Sequence, residues 1–216
     1  KYGPLTKKQE KVLVRVLRNT KVTKTLVNDA LELGRSRKGI VNITYFSLSD
    51  LIERTLVEIF DLADSGAAEM IKSCVDLTRF REILNEKGIL LNIDENLWCQ
   101  EIYQDKAKLI QILRNLLNNA LKYRKSRVIL DIYRYNDTLV ILVKDDGEGI
   151  PSIYHTKIFE SYFQMDNSSA CTVRGHGLGL AGVMALTEDM GGQISLKSEE
   201  GKGAEFSIKL PLSGNT

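Results

Sequence analysis

Asn115, Asn119 and Lys122 recur at i, i+4 and i+7 along a stretch from Asp105 to Tyr123. At that spacing they share one side of a helix. Leu109, Ile112, Leu113, Leu116, Leu117, Ala120 and Leu121 form the opposite, apolar face. Asparagine is a mediocre helix former, so two of them aligned ask for a chemical reason. An amide carbonyl is a hard-oxygen ligand suited to Mg²⁺. Lys122, one turn further on, is within reach of phosphate oxygens. Taken alone, the pattern also fits surface asparagines and a solvated lysine.

A second group, Val143-Lys-Asp-Asp-Gly-Glu-Gly-Ile-Pro151, ends an apolar run that reads as a strand. A buried carboxylate at a strand end, Asp145, can accept a hydrogen bond from an exocyclic amine such as adenine N6. Gly147 and Gly149 let the backbone turn sharply and approach a flat ring. A plain glycine turn after a strand would look the same. The third group, Arg174-Gly-His-Gly-Leu-Gly-Leu-Ala181, opens a helix. Glycines at 175, 177 and 179 leave backbone N–H groups free at a helix N-terminus, where phosphate is attracted. Read from Gly175, the dinucleotide pattern G-x-G-x-x-G is broken by Leu180, and no G-x-x-x-x-G-K-[ST] exists in the chain. The H-R-D and D-F-G elements of eukaryotic-type protein kinases are missing too. Asn119 precedes Asp145 by 26 residues and Asp145 precedes Gly175 by 30. A metal ligand, an adenine anchor and a phosphate cradle together make the kit for Mg-ATP.

These groups need elements to hold them. Residues 105–123 and about 178–190 read as helices, and 49 or 50 to 62 as another, capped by Ser49 or Asp50. Residues 66–85 look helical. Strand signals fall at 89–93, 127–135, 138–144, 192–198 and 204–210. Asn136-Asp137 and Glu200-Gly-Lys-Gly203 supply turns. The arrangement predicts an α+β fold: a two-layer sandwich in which helices cover one face of a mixed sheet. Ahead of it, residues 5–34 form one long helix that stops at Gly34. Leu5, Val12, Val16, Leu26, Ala30 and Leu33 make its stripe, widened by Leu13, Leu17, Val27 and Leu31. A stripe so wide asks for partner helices, as in a bundle, or for packing on its own domain. Arg35-Ser-Arg-Lys-Gly39 reads as a linker.

The bulk numbers narrow the setting. With 30 basic and 28 acidic residues the net charge is +2, which gives no reason to expect nucleic acid as a partner. Cys74, Cys99 and Cys171 form no CxxC pair, which suggests a reducing, cytoplasmic compartment. No apolar run approaches the roughly 20 residues of a membrane helix, so any membrane attachment is expected through absent segments. The chain opens at Lys1 and is read as a piece of something longer.

In order and spacing, the groups resemble the catalytic domain of sensor histidine kinases, within the superfamily of gyrase, Hsp90 and MutL. Asn115-Leu-Leu-Asn-Asn-Ala-Leu-Lys-Tyr123 matches the N box and Asp145-Asp-Gly-Glu-Gly149 the G1 box. Ile158-Phe-Glu-Ser-Tyr-Phe163 matches the F box and Gly175-His-Gly-Leu-Gly179 the G2 box. The tail from Gly191-Gly-Gln-Ile-Ser to Lys209-Leu-Pro-Leu212 also fits. The resemblance implies a Bergerat-type ATP-binding fold with ATP and Mg²⁺ as cofactors. It implies Mg²⁺ on Asn119, assisted by Asn115, and adenine on Asp145. Lys122 and Tyr123 would line the phosphate and base sides. The nucleotide would also meet Gly147, Gly149, Ile150, Phe159, Arg174, Gly175, His176, Gly177, Leu178, Gly179 and Leu180. Residues 152–174 would form a lid, loose at its tip, 166–170, and seated by Phe159 and Phe163.

The division implied is 1–38 as the second helix of a dimerisation hairpin, 39–46 as linker, and 47–213 as catalytic domain. An extra helical insertion lies near 63–82. A homodimer through the hairpin and a response-regulator receiver domain would be the partners. Gyrase-like and Hsp90-like relatives carry a glutamate one turn before the metal asparagine, to activate water. Asn115 stands there instead and cannot act as a base, which points to a protein-histidine kinase. The acceptor histidine is not in the chain: His155 and His176 are the two histidines, and both fall in or beside the lid. An ATP hydrolase or chaperone-like relative, or a non-catalytic nucleotide-binding module, are the alternatives.

Overall fold

The computed structural model describes residues 3, 5–36, 41–74, 76–163 and 177–212, with side chains omitted in parts of the first helix and at 62 and 63. In chain order the elements are α1 (Lys7–Ser36), β1 (Thr44–Ser47), α2 (Leu48–Ala63), α3 (Ser65–Lys72) and α4 (Leu77–Glu86). Then follow β2 (Ile89–Ile93), α5 (Glu95–Cys99), β3 (Glu101–Gln104), α6 (Lys106–Tyr123), β4 (Val128–Tyr135) and β5 (Thr138–Asp145). Two 3₁₀ turns, Ser152–Tyr154 and Lys157–Phe159, precede α7 (Gly179–Asp189), β6 (Gln193–Ser198) and β7 (Ala204–Pro211).

Five strands form one sheet in the order β2-β4-β5-β7-β6. The β2–β4 pair is parallel and the rest are antiparallel, so the sheet is mixed as predicted. Alternation decides which face is core. Leu139, Ile141, Val143 and Asp145 share one face of β5, and all four are buried. Leu130 and Phe206 flank Val143 on that face, and Ile132 and Ile208 flank Ile141. Over it lie α4, against β2, then α6, against β4 and β5, and α7, against β6; α2 packs on α6. The outer face carries Lys144, Lys209, Lys197 and the bonded pair Asn92–Asp131, with Tyr133 exposed. The two-layer sandwich is therefore as expected, with the outer face left largely polar.

Several boundaries differ from the sequence reading. The helix expected over 66–85 is two helices, because Asp76 caps a new start by accepting the N–H of Arg79 at 2.8 Å. The cap of α2 is Ser47, not Ser49 or Asp50; its Oγ accepts the Asp50 N–H. The first helix runs past Gly34 to Ser36. Part of the stretch read as linker is β1, which pairs antiparallel with the unforeseen β3. The short α5 was not foreseen either. Along α1, Val12, Leu13, Val16, Leu17 and Val27 stand exposed.

The core is continuous under α6: Leu109, Ile112, Leu113, Leu116 and Leu117 are buried to within 1%. Truncating Leu113 to alanine would leave a void that the helix-on-sheet packing cannot close. Urea unfolding followed by circular dichroism should show Leu113→Ala less stable by about 2–5 kcal/mol.

Candidate functional site

The helix α6 is pinned at both ends. Asp105 caps it: Oδ1 accepts the Lys108 N–H at 3.1 Å, while Oδ2 accepts the Asn42 N–H at 2.8 Å. Lys108 then pairs with Asp189 at the far end of α7, at 2.8 Å. At the C-terminal end, the Arg124 guanidinium donates to the carbonyls of Lys87 and Gly88. These ties hold α6 at both ends, and the spacing of four turns Asn115 and Asn119 the same way. Asn115 is 9% exposed, and its amide Nδ2 donates to the carbonyl of Gly179 at 3.4 Å. Asn119 is half-buried, and its amide has no hydrogen-bond partner among the described residues. Lys122 folds back on its neighbour: its ammonium lies 4.7 Å from the centre of the Tyr123 ring and donates to the Tyr123 hydroxyl.

Asp145 occupies the last inward position of β5 and is 6% exposed. Its Oδ1 accepts the N–H groups of Gly147 at 2.9 Å and Ala204 at 3.4 Å. Its Oδ2 takes no hydrogen bond from a described residue. Burial pushes this carboxyl up from its ordinary value, and the Asp146 charge adds to that; the two N–H donors pull the other way. A buried carboxylate oxygen without a partner is costly unless a ligand supplies the donor.

The loop after Asp145 is held by close backbone approach. A side chain on Gly147 would place its Cβ 2.3 Å from the Tyr123 carbonyl oxygen, so no larger residue fits there. Gly149, at φ +74°, would put a Cβ 2.1 Å from the Glu199 carbonyl oxygen. Ser198 completes the seat: its Oγ accepts the Ile150 N–H at 2.8 Å and donates to the Gly203 carbonyl at 2.7 Å. His155 contacts the Ile150 carbonyl at 2.9 Å through Nε2.

The helix α7 has Leu178, 8% exposed, at its N-cap, with no side-chain cap. Among the described residues no side chain takes up its first N–H groups, the donors that attract an anion at a helix start. Gly179 leaves room beside Asn115, whose carbonyl oxygen would lie 3.9 Å from a Cβ there. Gly177 accepts the Tyr162 N–H at 2.7 Å, which brings the end of the 3₁₀ turns to the start of α7. Phe159 meets Phe206 edge-on, with ring centres 6.4 Å apart, and Phe163 meets Tyr154 at 5.6 Å. Leu180 packs partly into the core.

The structure thus joins Asn115 to Gly179, Tyr123 to Gly147, and Asp145 to Ala204. Lys122 joins this group only through Tyr123. Arg174, Gly175, His176 and the expected lid tip, 166–170, lie outside the described residues. Asp146, Ser126, Ser198 and Gly203 line this region without having been singled out from sequence. The turn Glu200-Gly-Lys-Gly203 was visible as a turn, but its docking under residues 145–150 was not.

Asp145 carries a sign that can be measured. Its folded value lies above the ordinary 3.8, so its contribution favours folding below pH 3.8 and is lost as pH rises through the elevated value. At neutral pH the ionised group is a net liability to the nucleotide-free fold. Asparagine at 145 keeps the Oδ1 acceptor and removes the charge. Nucleotide-free Asp145→Asn should therefore melt higher at pH 7.5, by roughly 2–4 °C for about 1 kcal/mol in a chain of this size. The gap should close toward pH 4. A lower melting point, or a gap independent of pH, would contradict this account.

A profile described as "Histidine kinase-, DNA gyrase B-, and HSP90-like ATPase" matches residues 104–214. The circadian input-output histidine kinase CikA of Synechococcus elongatus is 30% identical over 214 residues, covering 97% of this chain and 26% of that protein. The aerobic respiration control sensor protein ArcB of Escherichia coli is 30% identical over 210 residues, covering 92% of this chain and 26% of that protein. The chain therefore spans about a quarter of the length of these curated relatives. A solved structure of full-length ShkA in complex with AMPPNP superposes with a TM-score of 0.67 at 26% identity, covering 99% of this chain and 41% of that one. Asn119, Asp145 and the uncapped start of α7 all fall within the matched span. The chain belongs to the histidine kinase-, DNA gyrase B- and HSP90-like ATPase family, and within it resembles the catalytic ATP-binding domains of sensor histidine kinases.

Proposed function

We propose that this chain is the ATP-binding, phosphoryl-donating core of a sensor histidine kinase. The observation that carries the reading is Asp145: a carboxylate at the buried end of an apolar strand, with one oxygen satisfied and the other without a partner among the described residues. An adenine amine is a donor of the right kind for it. Gly147 and Gly149 keep side chains out of the loop beside it. The amide of Asn119, without a partner among the described residues, and Asn115 a turn before it offer carbonyl oxygens of the type Mg²⁺ prefers. Mg²⁺ there would neutralise charge on the nucleotide's phosphates. The open N–H groups of α7 would hold phosphate oxygens, with Gly175, His176 and Arg174 contributing from the segment before it.

Asn115 separates donor from hydrolase. It is buried, neutral, and spends its amide hydrogen on the Gly179 carbonyl. It cannot take a proton from water, so the γ-phosphoryl group is left for a better nucleophile. In this reading the nucleophile is a histidine on a hairpin helix outside these residues, and a receiver-domain aspartate takes the phosphoryl group next. Residues 1–38 are then the second helix of that hairpin, 39–46 the linker and 47–213 the catalytic domain. The exposed Val12, Leu13, Val16 and Leu17 suit burial in a homodimeric bundle. Among the described residues no helix is long and apolar enough to cross a membrane. The use of ATP as phosphoryl donor sets the proposed reaction in the cytoplasm.

Titration with Mg-ATP tests the pocket. Asp145→Asn should weaken binding at least tenfold, about 1.4 kcal/mol, although it stabilises the empty fold. The transfer is tested separately. Supplied with a hairpin carrying the acceptor histidine, the chain should move label from γ-labelled ATP into an acid-labile, alkali-stable phosphate. Unlabelled histidine, under conditions where Mg-ATP is bound, would sink the kinase reading.

A further inference from the structure

Asp146 is adjacent to the adenine anchor in sequence and faces away from it. Its Oδ1 accepts three consecutive backbone N–H groups, those of Lys125 at 2.9 Å, Ser126 at 3.0 Å and Arg127 at 3.1 Å. Its Oδ2 accepts the Ser126 N–H at 3.1 Å and the Ser126 hydroxyl. Those residues form the turn that leaves the C-terminal end of α6, directly after Lys122, Tyr123 and Arg124. One half-buried carboxylate therefore ties the start of the 145–150 loop to the end of the helix that bears Asn115 and Asn119. Gly147 presses on the Tyr123 carbonyl from the same side, so loop and helix end touch directly as well. The Ser126 hydroxyl and the backbone N–H groups hold the Asp146 carboxyl well below the usual carboxylate range, and it stays charged at working pH. Charge-assisted bonds of this kind are stronger and more directional than neutral ones.

We propose that Asp146 is a positioning residue that sets the spacing between the adenine anchor and the metal-bearing helix. The inference rests on the reading of Asp145 and Asn119 given above. Its consequence is a dependence on ligand span. Mg-ATP must meet Asp145 and Asn119 at once, so its affinity depends on how the two halves are spaced. Adenosine meets the loop alone and does not sense that spacing. A residue that only stabilised the turn would lower both affinities together, through the folded fraction.

Calorimetric titrations of Mg-ATP and of adenosine into wild type, Asp146→Ala and Asp146→Asn decide the matter, with folding checked by circular dichroism. Alanine should cost Mg-ATP about tenfold or more and adenosine less than about twofold. Asparagine retains an acceptor for the three N–H groups and should bring Mg-ATP back to within about threefold of wild type. Equal losses for the two ligands, or no loss for Mg-ATP, overturn the proposal. Should the alanine variant not fold, Ser126→Ala removes one bond to the same carboxylate. It should weaken Mg-ATP by about two- to fivefold and leave adenosine unchanged; equal or absent effects overturn the proposal. Wild type that binds no Mg-ATP would overturn the pocket reading itself and this inference with it, whereas wild-type binding with an insensitive Asp146 overturns this inference alone.

Discussion

A charged group is buried at the end of the central strand, and the surrounding architecture is arranged to make that tolerable. Asp145 continues the inward row of Leu139, Ile141 and Val143, so alternation alone would make it a core position. Burying a carboxylate is costly unless hydrogen bonds compensate. Two N–H groups, from Gly147 and Ala204, meet one oxygen. Both come from backbone that must approach closely. A Cβ on Gly147 would strike the Tyr123 carbonyl, and one on Gly203 would lie 2.0 Å from the Asp145 carbonyl oxygen. The glycines around the site are thus consequences of the buried charge. They let two turns and a helix end crowd round one carboxylate.

The same crowding links the parts of the site. The 145–150 loop rests on the end of α6 through Asp146 and Gly147, and on the β6–β7 turn through Ser198 and Gly149. The start of α7 rests on α6 through Asn115 and Gly179. The first turn of α6 and the last of α7 are joined by Lys108 and Asp189, a largely desolvated pair, 8% and 16% exposed. The helix α6 or the turn that leaves it is the common member of these contacts, the docking of the loop on the β6–β7 turn excepted. Its own position comes from a continuous apolar face against the sheet and from caps at both ends. Packing provides the rigid frame, and the polar groups at its edge are preorganised by it.

The chain supplies an uneven distribution of order. The sheet and its covering helices bury a continuous core, whereas α1 carries exposed valines and leucines along its described part. The described part of α1 stands outside that core and meets the layered domain at α7. The chain ahead of α2 is tied down at Asn42 by the cap of α6 and from Thr44 by β1.

The residues by themselves determined the candidate site and the layer order. Asn119, Asp145 and Gly177 sit in short, local patterns, and the strands around them show a period of two that needs no partner to be seen. The mixed sheet and the helices over it followed from that alternation and from the order of elements. What escaped was long-range or brief. The short strands β1 and β3 exist because each pairs with the other, with Thr44 opposite Gln104 and Ser47 opposite Glu101. Neither is long enough to show a period of its own. The break between α3 and α4 depends on the side chain of Asp76 reaching a backbone N–H. The bonds of Asp146 to the turn at 125–127 join residues about 20 apart through a fold that neither stretch encodes alone. Periodicity along the chain reports which face is buried; which loops meet over that face is decided only when helix and sheet have packed.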